Sequence, residues 1–126
     1  MNTQELKDRT KKFSANVARF CANIQAHPIL KFYAGQLIRA SSSVGANYRA
    51  ACRAKSGKDF INKLKIVEEE CDECLFFLEL IDEIEPELKS DTSTLQKEGN
   101  ELLSIFVASL KTARATQSKN RKSKKS

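Results

Sequence analysis

Phe60, Leu64, Val67, Cys71, Cys74, Leu78 and Ile81 follow one another at alternating spacings of four and three residues. Only one face of an α-helix repeats in that way, and three heptads of it make an a/d seam that must pack against other helices. Ser56, with Asp59 three residues on, is close to a capping-box start, and Pro86 enforces a stop after Glu85. At the helical rise this element is a rod of roughly 40 Å. A rod of that length needs long neighbours, and the rest of the chain supplies three.

Residues 2–25 set Leu6, Phe13, Val17, Phe20, Cys21 and Ile24 on one face, with Lys7, Lys11, Lys12 and Arg19 on the polar side. His27-Pro28 breaks this pattern, because a residue before proline is pushed out of the helical region. The second helix is predicted to begin between Lys31 and Gly35 and to reach Ala54. Leu37, Ile38, Ser41, Val44, Tyr48, Ala51 and Cys52 form its inward stripe. Residues 40–46 are small at six of seven positions, and Gly45 within a helix costs roughly 1 kcal/mol relative to Ala. That stretch predicts close approach of a neighbouring helix rather than a polar binding surface on Ser41, Ser42, Ser43 and Asn47. A fourth helix, capped by Asp91, Thr92 or Ser93, carries Leu95, Gly99, Leu102, Phe106, Leu110 and Ala113 on one stripe. The apolar pattern ends after Thr116.

The expected fold is therefore all-α: an up-down antiparallel four-helix bundle over residues 1–117, followed by a disordered basic tail over residues 118–126. A chain of 126 residues makes one domain. No apolar run has the length of a membrane span and the N-terminus has no apolar signal-peptide region, so the expected location is cytoplasmic. Cys21, Cys52, Cys71 and Cys74 all fall within helical apolar patterns. They are expected to be reduced and packed, with no metal site, despite the spacing of Cys71 and Cys74.

Charge is sorted along the chain. Residues 1–58 carry eleven Lys/Arg against two acids, residues 59–101 four against fourteen, and residues 102–126 seven against none. Basic helices can thus lie against an acidic one and leave positive charge for a polyanion. Arg39, Arg49 and Arg53 are expected to form interhelix ion pairs with Glu70 and Glu73, whereas Glu69 and Asp72 belong to a solvated face. The only histidine, His27, lies in a loop, and the chain has no Gly-rich phosphate loop. No catalytic residue and no cofactor are expected.

Late in the third helix, Leu75, Phe76, Phe77, Leu80 and Ile84 fall off the a/d seam, and Phe76 stands directly opposite it. One bundle core cannot cover both sides of one helix. Phe76, Phe77, Leu80 and Ile84 are therefore expected to form an oligomer interface.

Gln36-Leu37-Ile38-Arg39-Ala40, then Ser43-Val44-Gly45-Ala46-Asn47, then the helix start from Arg53 through Lys55-Ser56 and Lys58-Asp59-Phe60, and finally Glu73, form an ordered set. This set resembles the four-helix-bundle proteins encoded in intervening sequences of large-subunit ribosomal RNA genes. The resemblance covers about residues 20–84. Acids stand at Glu69 and Glu70 where the family often places small residues, and Cys74 stands where leucine is common. The resemblance implies a homo-oligomer, typically a pentamer, and a role with RNA or another nucleic acid. Accessory proteins of diversity-generating retroelements are similar in fold, and are basic pentamers that bind nucleic acid.

Two functions follow as expectations. In the first, the protein is a non-enzymatic nucleic-acid-binding module that favours RNA. Its phosphate contacts come from Lys111, Arg114, Lys119, Arg121, Lys122, Lys124 and Lys125, helped by Lys7, Lys11 and Lys12. No aromatic stands among the tail's basic residues, so contact there is driven by shape and charge. In the second, it is a protein–protein adaptor whose basic tail serves solubility or grips an acidic partner.

Overall fold

The computed structural model describes residues 1–125, with side chains as far as Lys122. Four helices, α1 (Thr3–Ala22), α2 (Pro28–Ala51), α3 (Gly57–Ile84) and α4 (Lys89–Lys125), are joined by short turns, with one 3-10 turn at Pro86–Leu88. Each helix packs on its neighbour in sequence, and α1 closes the ring against α4. The Cys21 thiol donates to the Ala34 carbonyl, while the Ser14 hydroxyl meets that of Ser42. Those two contacts run in opposite directions along α1 and α2, as an up-down antiparallel four-helix bundle requires.

The expected seam is the core. Leu64, Val67, Cys71, Cys74, Leu78 and Ile81 are buried with Phe13, Val17, Leu37, Val44, Leu102, Phe106 and Leu110. Each large side chain so buried stabilises the fold by roughly 1.5–3 kcal/mol, against about 0–1 for an exposed ion pair. Apolar burial, rather than charge, therefore supplies most of the bundle's stability.

Helix boundaries follow local chemistry. The Asn2 side chain accepts from the Glu5 N–H at 2.8 Å and starts α1. α1 ends at Ala22, three residues short of the periodic pattern, in a turn that still buries Ile24. α2 starts at Pro28, earlier than its apolar stripe suggests. Proline is preorganised for the first helical position, and His27 Nδ1 accepts from the N–H groups of Ile29 and Leu30 at 3.2 and 3.1 Å. Ser56 caps α3 by accepting from the Asp59 N–H at 3.1 Å. α4 begins directly after the 3-10 turn, so Asp91, Thr92 and Ser93 lie inside it. There Thr92 is buried and donates to the Asp82 carboxylate.

Two packing expectations change. Ile38 is outward-facing, because its neighbours Leu37 and Ser41 take the inward positions. Leu75 is buried although it lies off the seam: a Cβ added at Gly99 would stand 2.9 Å from its Cδ2, so the bare backbone of α4 makes its room. Around Gly45 the predicted close approach is present. A Cβ added there would touch Thr10 at ordinary van der Waals distances of 3.6–3.8 Å.

Past its apolar pattern, α4 continues as a helix to Lys125, largely solvent-exposed as far as Lys122. Residues 111–122 contain no glycine or proline and are rich in good helix formers, so nothing in them breaks the helix. Ser126, at the end of the expected tail, lies outside the described residues.

Candidate nucleic-acid interface

In an up-down bundle one end gathers the start of α1, the end of α2, the start of α3 and the end of α4. Residues 1–12, 45–66 and 98–125, which make up that end, hold seventeen of the 22 Lys/Arg and only five of the 16 acids, two of them, Glu98 and Glu101, paired with Arg9. The opposite end holds five Lys/Arg and eleven acids. Charge sorted in blocks along the sequence thus becomes charge sorted along the bundle axis, a basic end against an acidic one.

Of the clefts that open at the basic end, two set Lys or Arg on both walls. The first, about 430 Å³, lies between α1 and α2 and is lined by Gln4, Lys7, Asp8, Lys11 and Ser14 on one side and Ser42, Gly45, Ala46 and Arg49 on the other. Lys7, Lys11 and Ser14 share one helical face. Small residues on α2 form the opposite wall, so Arg49 comes up to the α1 cations. Lys7, Lys11 and Arg49 form no ion pair among the described residues. The second, shallower cleft of about 300 Å³ brings Lys58 and Ile61 of α3 to Arg114, Gln117, Ser118 and Arg121 of α4. Lys111 and Lys119 share another face of α4, with Thr112, Ala115 and Thr116. Lys12 is exposed on α1 outside the first cleft, and Lys122 is exposed further along α4. The side chains of Lys124 and Lys125 lie outside the described residues.

Only part of the expected ion-pair set forms. Arg39 bridges Glu70, at 3.2 Å, and Glu73. Arg49 and Arg53 pair with neither acid among the described residues. They lie further along α2 toward the basic end, beyond the reach of Glu70 and Glu73. A stronger clamp has no forerunner in the sequence pattern: Arg9 donates through Nε and a terminal nitrogen to both oxygens of Glu98, at 2.7 and 2.6 Å, and also reaches Glu101. The Glu98 hydrogen bond, above all, raises the Arg9 pKa further.

At the acidic end the apolar surplus is shared by two helices. Phe76 is 56% exposed, whereas Phe77 and Ile84 are half-buried against the core and Leu80 is half-buried beside them. Phe32 of α2 is 63% exposed. Ring centroids run from Phe32 to Tyr33 at 5.3 Å, on to Phe77 at 6.3 Å and then to Phe76 at 5.6 Å, a continuous aromatic strip across α2 and α3. Phe32 and Tyr33 are not legible as part of it, since the apolar stripe predicted for α2 begins only at Leu37.

The thiols are poor nucleophiles where they are buried. Burial pushes Cys21 up to about 11 and Cys71 up to about 12, and raises Cys74 as well. Each therefore stays protonated near neutral pH. Among the described residues no group of three or more His, Cys, Asp or Glu side chains is placed to hold a metal ion, and no helix is long and apolar enough to cross a membrane.

A family model described as 23S rRNA-intervening sequence protein matches residues 3–108, and the chain belongs to that family. Among solved structures, it is similar to a protein of unknown function from the S23 ribosomal protein family of Bacteroides thetaiotaomicron. The two share 26% identity with a TM-score of 0.81, over 88% of this chain and 99% of the other. No curated protein matches the chain.

Proposed function

We propose that this member of the 23S rRNA-intervening sequence protein family is a non-enzymatic RNA-binding protein of the cytoplasm that works as a homo-oligomer. The concentration of seventeen Lys/Arg against five acids at one end of the bundle carries the reading. A surface of that charge attracts a phosphate backbone by releasing its counterions. The most exposed aromatic rings lie at the other end, so contact is to phosphate and sugar rather than stacked bases.

The aromatic strip supports self-association. Asp72, Glu73, Glu79 and Glu83 surround Phe76 on α3, and carboxylates there repel RNA while leaving the rings free to meet another protein surface. In a closed ring, such as the pentamer that the family resemblance implies, the basic ends take equivalent positions about the axis. Weak phosphate contacts are then multiplied by avidity.

The test is binding of the full chain to a structured RNA across a salt series, beside a truncation lacking residues 118–126. A steep fall in affinity with salt, weakened but retained by the truncation, supports the reading. Salt-insensitive binding, or none at low salt, rejects it. Capture of an acidic protein with no RNA retained would favour the adaptor function instead.

A further inference from the structure

We infer that the cleft between α1 and α2 is a preformed seat for a phosphodiester strand. The inference rests on the RNA-binding reading and names the residues that would grip the backbone. Lys7 and Lys11 lie one helical turn, about 6 Å, apart along one wall. That step is close to the separation of successive phosphates on a strand. Arg49 faces them from the other wall, and its planar guanidinium can hold two phosphate oxygens at once.

Two hydroxyls extend the track. Ser14 and Ser42 stand 3.4 Å apart across the cleft, where either can donate to a phosphate or a ribose oxygen. The one acid in the lining, Asp8, accepts from Gln4 Nε2 at 3.0 Å. Three cations without ion-pair partners among the described residues thus outweigh one carboxylate that already has a hydrogen bond. No aromatic ring lines the cleft, so it has no means of stacking a base. The expected ligand is therefore backbone, with little dependence on sequence.

Unlike the end of α4, both walls belong to helices packed on the core, through Leu6, Phe13, Leu37 and Val44. The cations are held close together before the ligand arrives, which lowers the cost of ordering them.

The experiment compares the wild-type chain, a triple variant (Lys7→Gln, Lys11→Gln, Arg49→Gln) and a charge-matched control at the acidic end (Lys31→Gln, Lys89→Gln, Lys97→Gln). A short RNA hairpin is titrated against each over a salt series, and inorganic pyrophosphate is titrated against the wild type while amide shifts are followed. The cleft variant should keep its helical signal. It should lose about tenfold or more in RNA affinity near 0.1 M salt, and its log–log salt slope should become shallower by roughly 2–3. The control should change far less. Equal losses in both variants, or no loss in the cleft variant while the wild type binds, overturn the cleft but leave RNA binding intact. If the wild type binds no RNA yet pyrophosphate shifts Gly45, Ala46 and Arg49, RNA binding fails and an oxyanion seat stands. If neither ligand binds, the cleft is rejected.

Discussion

The two ends of this bundle share four helices and one core, yet their surfaces have little in common. At the acidic end, charges are used within the molecule. Arg39 bridges Glu70 and Glu73, and Asp82 accepts from Thr92 and from Gln96. Beside these pairs an aromatic strip is left uncovered. At the basic end Arg9 is clamped by Glu98 and Glu101 and Lys63 by Asp59, but Lys7, Lys11 and Arg49 border a cleft and form no ion pair among the described residues. An antiparallel bundle converts block charge along a sequence into an axial dipole. It can thereby keep a surface for its own copies apart from a surface for a polyanion.

Reversing charge at the basic end should have the largest effect. Lys58→Glu, Lys111→Glu, Arg114→Glu and Arg121→Glu together remove four candidate phosphate contacts and add repulsion. RNA affinity near 0.1 M salt should fall at least about a hundredfold in an anisotropy titration. An unchanged affinity would erase the distinction between the ends.

Adjacent residues on α3 sharpen the contrast between core and contact surface. Leu75→Ala empties a site packed against Gly99 and should cost about 2–5 kcal/mol in chemical denaturation, with little change in solution mass at low denaturant. Phe76→Glu should do the opposite. It should weaken self-association by at least about 30-fold in light scattering or sedimentation, as for an interface residue worth about 2 kcal/mol, and leave the monomer's stability nearly unchanged. Wild-type mass in the Phe76 variant would remove the aromatic strip from the interface.

Ion pairs at the two ends give the smallest effects. Arg39→Gln should cost about 0–1 kcal/mol in thermal unfolding, shrinking as salt rises, because the pair is half exposed. Near the basic end, Lys63 Nζ donates to Asp59 at 2.6 Å and the Lys55 N–H donates at 3.2 Å, which together hold the Asp59 carboxyl below its ordinary range. Its folded pKa is depressed, so its contribution is complete above the unfolded value of about 3.9 and is lost as pH falls through the lower folded one. Asp59→Asn should therefore lower the melting temperature slightly at neutral pH and converge with wild type in acid.

Much of this fold is legible in the sequence because a four-three spacing admits only one helical face. The seam from Leu64 to Ile81, the Ser56 cap and the stop at Pro86 all depend on local sequence, and all stand in the structure. The start of α2 at Pro28 is masked because its first turn exposes Ile29 and Phe32, so the inward pattern emerges only later. The burial of Leu75 depends on a glycine 24 residues away, and no spacing rule on α3 anticipates it. The site is less legible than the fold. Lys7 and Lys11 stand out as a basic face, but Arg49 joins them only because α2 folds back along α1. Charge complementarity alone assigns it to Glu70 and Glu73. The axial separation of charge needs both the blocks in the sequence and the antiparallel order of the helices.

Mapping bound RNA onto the molecule by amide chemical-shift perturbation tests this polarity most directly. Shifts should gather in residues 3–12, 45–58 and 111–122 and should spare residues 76–91. A footprint centred on Phe32, Phe76 and their surrounding carboxylates, with the basic end silent, would contradict it.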